Sequence, residues 1–476
     1  MSTTRKLIEY FDINIRNERF TLDDNKTISI KVDGNVVDVI NLSESGIAIE
    51  SRSKMNAKEI QLIQIFHNQN KLLEFNSELI WEKSKDGKLQ YGYRFSDEML
   101  SENFVQNLKL STDILQELQI EKDKVESLLP DFVLNCTMIK DLMLNLKEKC
   151  ESFQKVNYIL SYDSKKTSID LGLEIFGKFA IEAITKYAHN LDKILNKITD
   201  KEVRKKHADF FKTHLGEYFV SAAFTGRAYH KPRGYAGDYE MMNQIYRNVA
   251  EGTTLFEKII HLYGINEASS VSVRLRKDYL KKKLFNLAKN NTQNSEIVVG
   301  TLACGPAREI VEFLTEETPE NLKNFKFVLM DQDHHALLNA RRNIFKIMRA
   351  RKLECEINLL PLAVKQILEQ SEESEVLKAI NFNLLYTAGL YDYLPQTVAK
   401  NLTTIISKSI IKGGEFIIGN FHPDNPTKTI SDLVADWRLI HRNQEQMLDL
   451  ISASEFKRHN FYLDEIGIDL FIEAYK

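Results

Sequence analysis

The segment 297–313, IVVGTLACGPAREIVEF, narrows the fold more than any other part of the chain. An unbroken apolar run leads into a turn at Gly305-Pro306, and apolar residues then recur at three- and four-residue spacing. That order predicts a buried strand, a tight turn and an amphipathic helix. The rhythm repeats downstream, with FKFVLMD, FNLLYTA and EFIIGNF reading as strands, and PAREIVEFL, ALLNARRNIFKIM and 397–410 as helices. Strands alternating with helices predict an α/β Rossmann-like domain with a mostly parallel sheet and right-handed crossovers. Its ligand would lie outside the carboxyl ends of the strands.

The second strand ends in Asp331, where a carboxylate can accept two hydrogen bonds from a ribose diol. Capping the following helix is the competing role for an acid here, and Asp333 is better placed for it. The turn carries only one glycine of the three that a dinucleotide pyrophosphate requires, so NAD is disfavoured. No Gly-Lys-Ser/Thr follows it, which excludes a P-loop nucleotidase.

A chain of 476 residues is too long for one core. The sequence divides into 1–103, 104–255 and 256–476. In the first part ISIKV, VVDVINLS, IAIES, ELIWEK and LQYGYRF are short β-like segments separated by Asp33-Gly34, Ser45-Gly46 and Asp86-Gly87, predicting a small antiparallel barrel. The middle part reads as helical. With 43% hydrophobic and 28% charged residues the composition is globular, and a net charge of -3 provides no field for nucleic acid. Four scattered cysteines suggest neither a disulfide framework nor a zinc site. No apolar stretch is long enough for a membrane helix, and no signal-peptide core is evident, so the expectation is a cytoplasmic protein. His334-His335 has no acidic cluster beside it, and no metal site is expected.

The turn and Asp331 together resemble the class I S-adenosylmethionine (AdoMet) methyltransferases over roughly 290–476. The resemblance implies a cofactor site built from Thr301, Ala303, Cys304, Gly305, Pro306, Glu309, Asp331, Gln332, Ala363, Val364, Thr387, Ala388 and Gly389. Lys412-Gly413-Gly414-Glu415 matches the family's turn before a late strand. Ala303 and Ala307 stand where the family commonly has glycine, and Thr301 where it commonly has an acid. GRAYHKPRGYAGDYEMMNQIY (226–246), YTAGLYDYLP (386–395) and ADWRLIHRNQEQM (435–447) resemble the bacterial family that includes 3-hydroxy fatty acid methyl ester synthases.

Methyl transfer is an in-line displacement, so positioning and exclusion of water supply much of the acceleration. A carboxylate acceptor needs cations and hydroxyls to hold it, and no general base. Arg227, Tyr229, Lys231, Arg233, Tyr235, Asp238 and Tyr239, interleaved with glycines, predict a loop closing over such a ligand. Tyr391 and Tyr393 are expected to face the transferred methyl. Trp437, Arg438, His441 and Arg442 fall at helical spacing, the first two as substrate contacts. For a hydroxyl or amine acceptor, His422 is the candidate base.

The stretch Asn41-Leu42-Ser43-Glu44-Ser45-Gly46, with the YGYRF strand, resembles the PilZ domain, a barrel that commonly binds cyclic di-GMP. The resemblance implies Asn41, Ser43 and Gly46 as contacts, with Arg16 and Arg19 as the arginine pair at a spacing one residue short. The implied activity is AdoMet-dependent methylation of a carboxylate or hydroxyl on a fatty-acid-like small molecule, regulated by cyclic di-GMP and with room for a homo-oligomer. The alternatives are an inactive methyltransferase fold serving in signalling, and a protein methyltransferase.

Overall fold

The structure, a computed structural model, describes residues 28–476 with breaks at 52–53, 56–59, 68–69, 86, 97–99, 161–166 and 292–294 and within 102–126 and 370–378. Its contacts separate two compact units, Met1–Ser127 and Leu128–Lys476, compared with the expected divisions after residues 103 and 255.

In the first unit six strands close an antiparallel barrel in the order β1-β2-β3-β6-β5-β4. They are β1 (Ile28–Val32), β2 (Asn35–Ser43), β3 (Gly46–Ser51), β4 (Ile60–His67), β5 (Asn70–Lys85) and β6 (Lys88–Phe95). Ile30, Ile49, Ile63, Ile65 and Tyr91 fill its interior. Strand β4 was not expected, because no glycine or proline marks its turn into β5. Its alternation is nonetheless plain in Ile63 and Ile65 facing inward.

The second unit begins with helices: α1 (Pro130–Leu160), α2 (Lys178–Leu195), α3 (Lys201–Val220), α4 (Ala223–His230), α5 (Tyr239–Arg247), α6 (Leu255–Asn266) and α7 (Ala268–Asn290). Phe132, Ile139, Met143, Ile184, Phe211 and Ile259 pack together in their core. The expected loop across 227–239 is shorter than the sequence suggested. Helix α4 runs to His230 and ends where Lys231 turns left-handed at φ +45° ahead of Pro232, which cannot continue a helix. Helix α5 starts at Tyr239 because Asp238 caps it, accepting from the Glu240 and Met241 N–H groups at 3.0 Å.

The seven-stranded sheet has the order β12-β13-β11-β10-β7-β8-β9. Its strands are β7 (Ile297–Leu302), β8 (Phe325–Asp331), β9 (Glu356–Pro361), β10 (Phe382–Ala388), β11 (Ile410–Phe421), β12 (Arg458–Leu463) and β13 (Asp469–Tyr475). Strands β7 to β11 pair in parallel, while β13 and β12 add an antiparallel edge. Along β8, Phe327 and Leu329 enter one core and Val328 and Met330 the other, as a strand covered on both faces requires. The covering helices include α8 (Arg308–Glu316), α9 (His334–Arg351), α10 (Gln396–Ser407) and α12 (Gln444–Ile451), while α11 (Lys428–Ala435) packs into the helical core through Ile430, Leu433 and Val434. Residues 436–443, expected to be helical, instead run irregularly between α11 and α12. Among the described residues no helix is long and apolar enough to cross a membrane.

Candidate functional site

Strand order reverses between β7 and β10, and the loops leaving these two strands form one wall of a cavity of about 320 Å³. In the β7 turn Ala303 (φ +56°), Gly305 (φ +52°) and Ala307 (φ +47°) are all left-handed. A Cβ placed on Gly305 would meet nothing within 4 Å, so the backbone borders open space. Asp331 ends β8 beside it. Its Oδ2 accepts from Gly305 N–H and its Oδ1 from Asp333 N–H, both at 2.9 Å. Burial raises this carboxyl above its ordinary value despite the two donors. Asp333 caps α9 by accepting from His335 N–H at 2.9 Å, so capping does not occupy Asp331. Gln332, Leu362, Val364, Ala388 and Gly389 complete this side of the cavity.

Tyr235, Gly237 and Tyr239 close it from the segment between α4 and α5. That segment is pinned. Arg233 Nη2 donates to Asp333 Oδ1 at 2.7 Å, and Tyr235 Oη donates to Asp333 Oδ2 at 3.2 Å. Burial would raise the Asp333 carboxyl, but Arg233 and the His335 amide hold it below its ordinary value. Arg227 pairs with Asp238 at 2.7 Å. Trp437 Nε1 donates to Tyr393 Oη at 2.8 Å, and Tyr393 Oη donates to the Ala236 carbonyl at 3.2 Å. Gly237 permits this closure, because a Cβ there would stand 2.6 Å from the Trp437 ring and 2.8 Å from Tyr393 Oη. The arginines expected to hold an acceptor are therefore already matched to carboxylates within the protein.

A second, narrower chamber of about 110 Å³ adjoins the first, with Phe224, Ile245, Val273, Phe421, Ile430 and Leu439 among its apolar walls. Gly237, Met242, Arg276, Gly389 and Tyr393 line both cavities. Arg276 is 8% exposed and is held by the Tyr246 hydroxyl, by Met242 Sδ at 3.7 Å and by Asp469 at 3.8 Å. Burial would lower this guanidinium, but Tyr246, Asp469 and Asp392 raise it. Asp392, also on the chamber wall, is pushed up by burial to about 6 while its Oδ1 accepts from Phe421 N–H at 2.8 Å.

Several expected residues lie elsewhere. Tyr391 is wholly buried, its hydroxyl 2.9 Å from Thr403 Oγ1, and packs in the core instead of facing either cavity. His422 borders neither cavity and sits 3.4 Å from Asp424. Thr301, Cys304, Pro306 and Thr387 are buried but border neither space. Glu309 accepts from Tyr386 Oη at 2.7 Å inside the protein, and Ala363 N–H donates to Gln366 at 2.8 Å. Tyr229 is exposed, Lys231 reaches the Asp436 carbonyl at 3.4 Å, and Arg438 pairs with Asp432 at 2.8 Å. Arg442 is fully buried, donating to the Tyr391 carbonyl at 2.7 Å and to Asn420 at 2.6 Å. In the barrel, Asn41, Ser43 and Gly46 border a depression of about 160 Å³ with Trp81 and Arg94. Arg16 and Arg19 lie outside the described residues.

Sequence reasoning missed Arg276, which lies in SVSVRLRKDYLKKK among several other basic residues. Such a run reads as a solvated basic face, and only the packing of α7 distinguishes its buried member.

An open α/β sheet with a glycine turn and an acid at adjacent strand ends defines a nucleotide-type ligand site. The family model Methyltransf_20, described as "Putative methyltransferase", matches residues 232–472, half of the chain, and the chain belongs to that family. No curated protein matches it. Among solved structures, magnesium protoporphyrin IX methyltransferase from Synechocystis, with bound SAH, is 11% identical (TM-score 0.35; 55% of this chain, 98% of that one). N-methyltransferase NodS from Bradyrhizobium japonicum, in complex with S-adenosyl-L-homocysteine, is 12% identical (TM-score 0.30; 49% and 96%). A SAM-dependent methyltransferase from Archaeoglobus fulgidus is 11% identical (TM-score 0.30; 42% and 94%).

Proposed function

We propose that this protein transfers the methyl group of AdoMet to the carboxylate of an amphipathic small molecule seated in the apolar chamber. The observation carrying this reading is the shared wall: the five residues common to both cavities put a nucleotide-sized space and an apolar space on either side of one seam. The residues of the larger cavity fit the cofactor. Each Asp331 oxygen keeps a lone pair for a ribose hydroxyl, Gly305 leaves room over its backbone, and Leu362 and Val364 offer an apolar surface to a purine. AdoMet supplies an electrophilic methyl on a sulfonium. The acceptor oxygen forms the new bond to carbon as the carbon–sulfur bond breaks, giving a neutral ester and a neutral thioether with no proton to remove.

Arg276, at the seam, would hold the acceptor carboxylate, since a guanidinium suits a planar anion. A carboxylate acceptor needs no general base. His441, on the chamber wall, is lowered by burial to about 4, and its nitrogens are engaged by the Leu439 carbonyl and the Asn425 amide, each at 3.2 Å. His441 is therefore not free to serve a hydroxyl or amine acceptor, which would want a base. Tyr235, Tyr239 and Trp437 act in excluding water, and Arg233 in holding the closing segment. The Asn41–Gly46 turn is the candidate cyclic di-GMP contact, and titration of that dinucleotide on the full chain tests it. For the reaction itself, labelled AdoMet offered with a panel of fatty and hydroxy acids should label an acid; label found only on protein would overturn the small-molecule reading.

A further inference from the structure

Helix α9 carries a row of cations that no acid of its own offsets. Its sequence, HHALLNARRNIFKIMRAR, contains five arginines and lysines and neither aspartate nor glutamate, in a chain whose net charge is -3. Arg349 and Arg351 lie in the last turn, where the helix dipole favours cations, and Arg351 also donates to the Leu314 and Glu317 carbonyls. No such reason covers Arg341, Arg342 and Lys346 in the middle of the helix. All three are exposed, and neither they nor Arg349 form an ion pair among the described residues; Arg341 lies over the Phe345 ring at 5.4 Å. By contrast, Arg247 on α5 meets Glu240 and Glu251, and Lys281 on α7 meets Glu312 and Glu316. Like charges three and four residues apart repel, so an unmatched row destabilises the helix that carries it.

These cations line an open groove of about 890 Å³, closed on its other side by Tyr239 at the start of α5. Arg342, Lys346 and Arg349 stand at i, i+4 and i+7, a single stripe about 10 Å long. Leu338, one turn before Arg342 on the same stripe, is 56% exposed in the groove. An apolar side chain in line with the cations suits an amphipathic partner better than a phosphate backbone, which has no use for it. A concave groove likewise suits a rod better than the plane of a bilayer. Tyr239 also borders the cavity assigned to AdoMet, so the groove lies beside the segment that closes that cavity.

We propose that this groove docks an acidic amphipathic helix of a partner protein, its carboxylates paired with Arg342, Lys346 and Arg349 and an apolar side chain set against Leu338. Two helices lying side by side share a repeat of about 3.6 residues, so glutamates at i, i+4 and i+7 on the partner face the three cations in turn. Complementary charge sets the register and speeds the encounter, while the leucine supplies a contact that excludes water. The proposal rests on the unmatched face of α9 and is independent of which molecule accepts a methyl group.

Fluorescence anisotropy on the full-length protein at low salt tests it, using a labelled helical peptide with leucine and glutamates at the spacing of Leu338, Arg342, Lys346 and Arg349. Duplex DNA and vesicles of anionic phosphatidylglycerol serve as rival polyanions. The expected dissociation constant for the peptide is below about 1 mM, rising at least about fivefold in Arg342→Glu, where a like charge replaces the attraction. Leu338→Ala should weaken the peptide by about threefold through lost apolar contact and leave DNA binding unmoved. Both side chains are exposed, so thermal unfolding and AdoMet binding should match the parent in each variant. Should Arg342→Glu fail to fold, Lys346→Gln carries the same comparison. No binding of the peptide, an affinity unmoved by these variants, or tighter binding of the duplex or the vesicles than of the peptide would overturn the proposal.

Discussion

Asp331 ends β8 and Asp392 lies in the short turn beyond β10; both acids are buried, and they behave differently because of what surrounds them. Burial pushes Asp392 up to about 6 from an ordinary 3.8, beside Arg276, Asp469 and Arg442. Between those two values the folded protein holds a proton that the unfolded chain has released, so this group's contribution to stability falls as pH rises through that window. Its ionisation also offsets the charge of Arg276. Affinity for an anionic acceptor should therefore weaken as pH rises through about 6, and Asp392→Asn should flatten that dependence while the asparagine oxygen still accepts from Phe421 N–H. Titrations between pH 5 and pH 8, above the ordinary carboxyl range of about 4 to 5, would check this. Asp331 was legible from sequence because a strand end followed by a helix restricts what an acid there can do. Arg276 was not, since burial on one face of a basic helix depends on neighbours distant in the chain. The two alanines of the β7 turn have a physical reading as well: they occupy left-handed conformations natural to glycine.

The segment between α4 and α5 is held against the sheet by side-chain pairs. Its tie to the sheet is the Arg233–Asp333 pair, helped by Tyr235, and Asp333 is also the cap of α9. Arg233→Ala should loosen the closed arrangement and lower apparent AdoMet affinity by about three- to tenfold, as a smaller fraction of molecules is binding-competent. Limited proteolysis within 231–238 should quicken in parallel, and unchanged affinity with unchanged cleavage would count against such a tie. The residues of this element were visible in the sequence as a dense group of cations and phenols, but their partners were not. Pairing across a hundred residues leaves no local pattern for Arg233, and the partner of Arg227, Asp238, lay in the same dense group, so both arginines read as substrate ligands. The helical spacing at Trp437, His441 and Arg442 misled for a related reason: the fully buried Arg442 ties the carbonyls of neighbouring loops together, and those bonds hold the backbone out of a helix.

At the scale of the whole molecule, the chain divides at Ser127/Leu128, and the second unit contains the sheet, both cavities and every residue assigned to methyl transfer. Residues 128–476 alone should therefore fold cooperatively and bind AdoMet within about twofold of the full chain, as expected of a domain with its own core. Calorimetry on the truncated protein checks that. The α/β half of the molecule was legible because β7, β8, β10 and β11 are largely buried and announce themselves as apolar runs; the exposed edge strand β9, and β4 of the barrel, turning without glycine or proline, did not. The central claim is that Asp331 and the Gly305 turn hold AdoMet. Isothermal titration of AdoMet into the full chain and into Asp331→Ala tests it most directly. The expected result is one site per chain, weakened by about tenfold or more in the variant, the worth of a hydrogen bond to a charged group. An unchanged affinity in a variant that is still folded, or no binding to the parent protein, would contradict it.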